Sequence, residues 1–390
     1  MSYCLSSASF LLPTPPPMKA VALGPCDVRL VRPQSLSDRD RAHWAQLSAA
    51  AGGGNIFAHD WFMDAALRHA DREEEVRLAI VSEAQEGWIG VIPLVAERRF
   101  GRWPVGAWAS WLATNQFLGT PLVIPDHAEA FWRALLTHLD AHSRGQMLFF
   151  VRQLAFDDPV SAALFAHCAA ERRAIRMVER FERPARRPGE PIIAQGDGKA
   201  QSRLRSLRRR LERDHGTVAI DTLTAGEPGQ KWIDHFLAME RDGWKGRVGS
   251  ALGCHAATET LFREVAERGH ANGTLRLATL RAGDRPLAMT SWFETGAHGY
   301  GFKMTFDEAF RTYAPGQQLM QHVADQVAAR PEIYFDTCTP QRATSCRSMW
   351  QSKRTIFNGA VAIGSAPRRA GFEALMNARA AYAALRRRLR

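Results

Sequence analysis

The same order of strand and helix patterns occurs twice along this chain, and this repetition constrains its fold more than any other feature. In residues 217–364, alternating and helical periodicities predict the order β-α-α-β-β-β-α-β-β. Residues 28–181 repeat that order with one further helix at Pro159–Arg172 before the last strand, although no evident sequence identity accompanies the repeat. Because each unit mixes helices with a sheet, the sequence predicts a mixed α/β fold made of two similar halves.

Composition divides the chain into five segments. Residues 183–198 are rich in Pro and Gly and predict a linker. This linker separates an N-terminal half at residues 20–182 from a C-terminal half at residues 199–365. We expect residues 1–19 to form a disordered tail and residues 366–390 to form a basic C-terminal helix.

The positive charge of the chain lies mainly in two short segments. The formal net charge is +11, from 51 Lys and Arg against 40 Asp and Glu. Lys199–Arg213 and Ala366–Arg390 each contain seven basic residues and one acidic residue, so the rest of the chain is nearly neutral. Two such patches predict an anionic ligand or surface as partner. We expect no specific DNA partner and, at most, a weak contact with an anionic membrane surface; the oligomeric state stays open.

The composition argues against a membrane-spanning, secreted or metal-binding protein. No apolar run approaches the roughly 18 residues that a membrane-spanning helix needs, and the N-terminal segment lacks the charged start of a secretory signal. The six cysteines lie far apart, which fits reduced thiols and a cytoplasmic location. Cys338 and Cys346 are too widely spaced for a metal site, so no metal is expected.

Four stretches of the C-terminal half carry a resemblance to a known family. They are KAQSRLRSLRRRLE (Lys199–Glu212), ERDGWKGRVGSAL (Glu240–Leu252), GFKMTFDEAFRTYAPGQQL (Gly301–Leu319), and DTCTP with the later MWQSKR (Asp336–Pro340 and Met349–Arg354). Together they resemble the BioF2-like acetyltransferase domain of the GNAT superfamily, in the group that includes the cellulose-biosynthesis protein CelD. That group is related in fold to the Fem peptidoglycan aminoacyltransferases. The N-terminal half resembles the group only at Asn55–Leu67 and in the strands that follow.

The resemblance implies a tandem GNAT-like fold. It also implies acyl transfer, from a thioester or from an aminoacyl carrier, to an amine or a hydroxyl group. The C-terminal half would hold the acyl donor, and the acceptor would lie between the halves.

The segment around Pro315 predicts an anion site for the donor. Pro315 starts a helix, Gly316 permits close backbone approach, and a helix N-terminus presents unpaired N–H groups to an anion. The resemblance places the diphosphate of coenzyme A at this loop, with acyl-CoA as co-substrate and Arg311, Tyr313, Pro315, Gly316 and Gln317 as the binding residues. The family loop carries more glycines than this one, so a plain helix start and a donor other than coenzyme A stay open.

The helix predicted at Lys199–Arg213 combines a narrow apolar stripe with a dense arginine face. Few acids are spaced to form ion pairs within this helix, so its arginines repel one another without a counter-ion. Because arginine suits bidentate contacts with phosphate or carboxylate, we expect Arg203, Arg209 and Arg210 to bind the substrate. A solvated helix face without a ligand is the alternative.

The end of the next helix is predicted to border the acceptor. Glu240 and Trp244 lie four residues apart and share a face, and Lys245 follows. In the implied fold this helix borders the acceptor cleft, so Glu240 is a candidate catalytic residue, and Trp244 and Lys245 are candidate acceptor-binding residues. A surface carboxylate above a core tryptophan is the alternative.

Two strand ends supply the remaining candidates. Lys303 lies on the strand that in GNAT enzymes binds the acyl donor, and it is a candidate catalytic residue that we expect to hold an anionic group of the donor or the acceptor. Asp336 ends the following strand and is a candidate catalytic residue. An acyl-transfer base must take a proton from the attacking group, and the sequence leaves Glu240, Asp336 and His322 open for that role.

The sequence thus predicts a cytoplasmic GNAT-type acyltransferase. Its acceptor would be an amine or hydroxyl of an anionic, small-molecule or sugar-type compound, in exopolysaccharide or cell-envelope biosynthesis. Two alternatives stay open. One is Fem-like transfer of an aminoacyl group from charged tRNA, and the other is non-catalytic binding of a polyanion or membrane surface by a degenerate GNAT pair.

Overall fold

The computed structural model of this chain describes residues 24–69, 76–83, 87–143, 145–191, 198–223, 226–339 and 349–388. The tail predicted at residues 1–19 lies outside the described residues, as do residues 192–197 of the predicted linker. None of the helices in these ranges is long and apolar enough to cross a membrane.

Strands and helices follow one another in the order that the periodicities predict. The strands are β1 (Cys26–Val31), β2 (Arg77–Glu83), β3 (Gly87–Glu97), β4 (Ala107–Ser110), β5 (Leu122–Val123), β6 (Leu148–Ala155), β7 (Ile175–Arg186), β8 (Val218–Leu223), β9 (Leu275–Ala282), β10 (Arg285–Thr295), β11 (His298–Phe306), β12 (Tyr334–Asp336) and β13 (Ser352–Ala362). The α-helices are α1 (Asp38–Ala51), α2 (Asp60–Arg68), α3 (Ala128–Ala141), α4 (Pro159–Ala170), α5 (Gly198–His215), α6 (Gln230–Asp242), α7 (Trp244–Arg247), α8 (Ala256–Ala271), α9 (Pro315–Ala328) and α10 (Ala366–Arg388). The predicted α/β fold class is confirmed. The patterns do not predict β5 and α7, which are too short to show a period.

Capping chemistry sets several helix boundaries. Before α1, the Ser37 hydroxyl accepts the backbone N–H of Asp40, and the Asp40 carboxylate accepts the N–H of Ser37, which makes a capping box. Asp158 caps α4 by accepting the N–H of Val160, and Pro159 occupies the first turn.

All the described strands belong to one sheet. Its order is β1-β2-β3-β4-β6-β13-β7-β12-β11-β10-β9-β8, and β5 pairs with β3 at the side. Two neighbouring pairs are parallel, β4 with β6 and β11 with β12, and the other pairs are antiparallel. Each half therefore contains one parallel pair of strands.

Strands β7 and β13 join the two halves. β13 lies between β6 and β7, and β7 pairs on its other edge with β12, so the last strand of the chain lies within the sheet of the N-terminal half. The sequence assigns residues 183–186 to a linker, but these residues form the end of β7. The prediction is wrong there because these residues form backbone hydrogen bonds with β12 and β13. The Pro and Gly content of the segment does not indicate such pairing.

An aromatic core fills the space between the halves. Phe57 and Phe62 of the N-terminal half pack against Phe293, Tyr300 and Phe302 of the C-terminal half, with ring centroids 5.8–6.3 Å apart. Burying one such ring contributes about 1.5–3 kcal/mol. The halves are therefore packed on each other through a continuous apolar core as well as through the sheet.

A buried ionic cluster lies where β7, β12 and β13 meet. Asp336 of β12 is fully buried, and its Oδ2 accepts hydrogen bonds from Arg183 of β7 at 2.5 Å and from Arg354 of β13 at 3.1 Å. Arg354 also donates to Asp157 at 3.1 Å. Burial acts to raise the pKa of Asp336, but the two guanidinium groups outweigh it and hold the pKa below its usual value.

We predict that Asp336→Asn destabilises the fold by about 3–5 kcal/mol, because it leaves two buried guanidinium groups without their carboxylate. The free energy of unfolding is measured by urea titration at several pH values. A lowered native pKa means that the carboxylate's contribution is complete above its unfolded pKa of about 3.9 and is lost as the pH falls through the native value. The wild type should therefore lose stability on acidification more steeply than Asp336→Asn.

Asp126→Asn is the matched control, because Asp126 is exposed on the short 3₁₀ helix (Pro125–His127) before α3. Its stability should stay within about 0.5 kcal/mol of the wild type. Equal destabilisation by both variants, or equal pH dependence of wild type and Asp336→Asn, would contradict the role of the buried cluster.

Candidate functional site

Strands β11 and β12 separate after a short parallel contact. Their last paired residues are Tyr300 and Asp336. Gly301 then approaches the backbone of Thr337 so closely that an added Cβ atom would lie 2.3 Å from the Thr337 carbonyl oxygen. Beyond this contact the strands diverge, and a cavity of about 600 Å³ opens between them.

The cavity is bounded by β10, β11, α9, the end of α6 and one loop of the N-terminal half. Its lining residues are Phe117, Glu240, Gly243, Trp244, Lys245, Thr290, Ser291, Trp292, Gly301, Phe302, Lys303, Met304, Thr305, Phe306, Met320, Val323, Phe335, Thr337, Cys338 and Thr339. A β-bulge lies in this wall, since Ser291 pairs with Lys303 and Trp292 with Gly301, which leaves Phe302 outside the register. Bulges of this kind re-aim backbone and side-chain groups next to binding sites.

Lys303 is a charged residue of the cavity wall with a lowered pKa. Its Nζ donates to Asn115 Oδ1 at 2.5 Å and lies 5.2 Å and 5.6 Å from the ring centroids of Phe117 and Phe302. Burial, reinforced by the charge of Lys245, lowers the pKa of Lys303 to about 8. The ammonium group therefore changes charge close to neutral pH.

Glu240 and Lys245 form an ion pair that also lines the cavity, and the Lys245 ammonium lies 3.4 Å from the Met304 carbonyl oxygen of β11. The Lys245 ammonium donates to Glu240 Oε1 at 2.6 Å, and the backbone N–H of Leu252 donates to Glu240 Oε2 at 2.7 Å. Glu240 is almost completely buried. These two bonds fix the carboxylate in place beside the cavity.

Trp244 forms part of the cavity rim. Its side chain is 52% exposed, and its backbone N–H donates to Glu308, which also pairs with Arg247. Glu240, Trp244 and Lys245, which the sequence places beside the acceptor, and Lys303 of the predicted donor-binding strand thus line one cavity.

Two of the three candidate bases are elsewhere. Asp336 is enclosed by Arg183 and Arg354 and has a lowered pKa, so it is poorly suited to accept a proton, and it does not line the cavity. His322 faces the other side of α9, where its Nε2 lies 3.3 Å from the Thr222 hydroxyl. Among the candidate bases within the described ranges, Glu240 is the residue that lines the cavity.

The predicted donor loop lies next to this cavity without lining it. Ala314 takes a left-handed conformation, and besides the ordinary helical bond from Gln318 its carbonyl accepts the N–H of Gln317, which uses a donor that the first turn of α9 would offer an anion. Pro315 and Gly316 are buried, and an added Cβ at Gly316 would only touch Phe306 and Met304 at ordinary distances of 3.5–3.8 Å.

The other two loop residues differ in exposure. The Arg311 side chain is exposed. Tyr313 is buried, and its hydroxyl donates to Asp214 of α5 at 3.0 Å. The end of α5 is therefore packed against the start of α9.

The sequence suggests that the arginines of α5 bind the substrate, but in the structure they do not reach the cavity. Arg210 pairs with Asp214 and stacks on Tyr313, with its guanidinium carbon 5.2 Å from the ring centroid. Arg203 and Arg209 are exposed on the outer face of the helix. These residues are absent from the described cavity lining, because the apolar stripe of α5 packs on β8 and β9 away from the opening.

Sequence reasoning misses the contribution of the N-terminal half. Asn115 and Phe117 reach the cavity from the loop after β4, across 188 positions in the case of Asn115 and Lys303. Asn115 has a positive φ of 71°, which an Asn adopts more readily than most residues. No motif or spacing in the sequence connects this loop with β11.

Comparison with known proteins gives a family match and fold matches. Residues 198–343 match the model of the acetyltransferase (GNAT) domain. The solved structure of FemX superposes with a TM-score of 0.50 at 10% identity, over 85% of this chain and 96% of that chain. At this identity the similarity to FemX concerns the fold alone. No curated protein matches the chain.

Two further solved structures are similar at lower scores. A conserved protein of unknown function from Bacteroides thetaiotaomicron VPI-5482 has a TM-score of 0.49 at 13% identity, over 84% of this chain and 99% of that chain. L-PGS from Bacillus licheniformis has a TM-score of 0.49 at 12% identity, over 80% and 90% of the two chains.

We predict that Gly301→Ala destabilises the protein, because the new Cβ would overlap the Thr337 carbonyl and force β11 and β12 apart. Overpacking of this kind costs about 1–3 kcal/mol. Thermal unfolding is measured beside Gly316→Ala, a buried glycine where a Cβ meets only ordinary contacts. A melting temperature lowered in Gly316→Ala but not in Gly301→Ala would contradict the close approach of the two strands.

Proposed function

We propose that this acyltransferase, whose residues 198–343 match the GNAT acetyltransferase domain within a Fem-like tandem fold, uses acyl-CoA as donor. Its acceptor is an amine or hydroxyl of an anionic or sugar-type compound. The observation that carries the proposal is the cavity that opens where β11 and β12 diverge, lined by Lys303 and by the Glu240–Lys245 pair.

The charge of the cavity supports an anionic acceptor. Lys245 and Lys303 carry two positive charges against one negative charge on Glu240, and the other described lining residues are uncharged. The wall is otherwise mainly apolar, so one positive charge stays uncompensated in a poorly solvated space. A carboxylate or phosphate on the acceptor would balance it. A sugar-type acceptor would place the reaction in exopolysaccharide or cell-envelope biosynthesis.

The same residues account for the chemical step. The acceptor nitrogen or oxygen attacks the carbonyl carbon of the thioester, its proton passes to Glu240, and the carbon–sulfur bond then breaks to release the thiolate of coenzyme A. Lys245 and the Leu252 N–H hold Glu240 in position. Protonated Lys303 stabilises the negative charge that develops on the carbonyl oxygen, an interaction that is strong in a low-dielectric site.

We predict that the turnover rate falls as the pH rises above about 8, because Lys303 loses its charge there and a lysine is cationic only below its pKa. Lys303→Met should lower kcat by about 10²–10³-fold. Lys303→Arg stays cationic, so it should retain part of the rate and lose the fall near pH 8. Thiol release from acetyl-CoA and longer acyl-CoAs measures the rate.

Lys231→Met is the control, since Lys231 is an exposed residue of α6, and its pH profile should match the wild type. A wild-type rate that increases through pH 8, with the increase absent in Lys303→Arg, would instead make neutral Lys303 the base and overturn the roles proposed here. No thiol release with any acyl-CoA would argue against the donor.

A second candidate function is aminoacyl transfer from charged tRNA. Two observations favour it. The start of α9 offers few free N–H groups to a diphosphate, and α5 exposes Arg203, Arg205 and Arg209 without an ion-pair partner among the described residues. Such a surface suits RNA phosphates.

Single Arg→Gln changes along α5 separate the two candidates. If the helix binds tRNA, Arg203→Gln and Arg209→Gln should weaken filter binding of aminoacyl-tRNA, and the salt dependence of binding should become shallower. Arg208→Gln is the control, because Arg208 is already paired with Glu212. Unchanged tRNA binding in all variants, together with thiol release from acyl-CoA, would contradict aminoacyl transfer from tRNA and favour acyl-CoA as the donor.

A further inference from the structure

A second cavity lies at the opposite ends of β11 and β12. It has a volume of about 370 Å³, in the range of small-molecule sites. It is bounded by the segments that follow α1 and β6, which correspond in element order to the segments after α6 and β12 at the first cavity. The C-terminal half closes it with His298, Tyr334 and Arg354.

A glycine loop brings the two halves together at this cavity. An added Cβ at Gly53 would lie 2.2 Å from the carbonyl oxygen of Thr295, so only glycine allows the loop to touch the turn before β11. The carbonyl oxygens of Gly53 and Gly54 accept the Tyr300 hydroxyl at 3.0 Å and 2.6 Å. Each carbonyl oxygen has a second lone pair, so acceptor capacity remains beside the cavity.

The ionic cluster next to the cavity has a net charge of −1 when all its carboxylates are ionised. It contains three carboxylates, Asp157, Asp158 and Asp336, against the two guanidinium groups of Arg183 and Arg354. The neutral groups are His298, whose pKa is lowered by burial and by Arg354, and Tyr334, whose pKa is raised by burial.

Asp158 is the carboxylate whose negative charge is least well compensated. Arg354 approaches Asp157 and Asp336 to 3.1 Å, but it stays 4.0 Å from Asp158 Oδ2. The other oxygen of Asp158 caps α4. Burial raises the pKa of Asp158 to about 6, as expected for a carboxylate with incomplete compensation.

A second polar group of the cavity is also incomplete. Thr120 lines the cavity and is 2% exposed, and its hydroxyl has no hydrogen-bond partner within the described part of the chain. A buried hydroxyl without a partner costs free energy that a bound ligand can recover. Thr120 and Asp158 both line this cavity, so a ligand group that lies between them can satisfy both.

These observations favour an ammonium group over a metal ion. Both oxygens of Asp157 are used, by Arg354 and by the Tyr334 hydroxyl, and one oxygen of Asp158 is used by the helix cap. Too few carboxylate oxygens remain for a hard cation, which takes six or more oxygen ligands. An ammonium group needs only three acceptors for its three N–H donors. We propose that the second cavity binds a small primary amine, with its ammonium group held by Asp158 and Thr120.

The test is calorimetric titration of the full chain with butylamine, ethanolamine and putrescine, and with butyrate as the anionic counterpart. At least one amine should bind and raise the melting temperature, and butyrate should do neither. Asp158→Asn should weaken amine binding by roughly 10- to 100-fold, and Thr120→Val by a smaller factor. Glu240→Gln, in the first cavity, should leave amine binding unchanged.

The pH dependence gives an independent measurement on the wild type. Asp158 is neutral below its pKa, so binding should weaken as the pH falls below about 6. Asn also caps helices, so Asp158→Asn is expected to fold; if it does not, Thr120→Val and the pH series decide. The proposal is overturned if no amine binds, if butyrate binds equally well, or if Thr120→Val and the pH change leave the affinity unaltered. Loss of binding in Glu240→Gln would also overturn it, by placing the amine in the first cavity.

Discussion

The arrangement of the two halves depends on one buried carboxylate. Asp336 belongs to β12, and its two cationic partners belong to β7 and β13, so a single group ties together three strands from distant parts of the chain. Its Oδ1 also accepts the N–H of Cys338, where the backbone turns away from the sheet with a positive φ of 51°. Burying a charge is costly unless its partners are in place, so this cluster permits few alternative registers.

The two cavities lie at opposite ends of β11 and β12, and the charges around them have opposite sign. At one end of β11 and β12 the described lining groups leave an excess of positive charge, and at the other end the ionic cluster leaves an excess of negative charge. Arg354 lines the second cavity and donates to Asp336 of β12. In both cavities residues from the other half complete the wall, so neither half alone forms a complete site.

Periodicity predicts the elements of this chain well, because strands and helices of ordinary length bury one face and expose another. It cannot predict that β13 enters the sheet between β6 and β7. An apolar strand has the same sequence pattern whichever strands it pairs with. Asp336 shows the same limit of prediction from sequence. A carboxylate at a strand end suggests a base, and only the packing of Arg183 and Arg354 from other strands reveals a structural anion. Asn115 and Phe117 carry no pattern that links them to Lys303. Glu240, Trp244 and Lys245 come together at the cavity because they lie within five positions of one another, although α6 ends at Asp242 and the predicted single helix face is interrupted at Gly243.

The position of β13 also has a consequence for biosynthesis. While the ribosome extends the chain, β6 and β7 are translated long before residues 352–362, so the position between them stays empty until β13 has been translated. Two unpaired strand edges face each other across that position, and such edges invite pairing with other chains. The nascent N-terminal half therefore has to wait for its final strand, and the stretch of translation between β7 and β13 is the period in which a chaperone would be of most use.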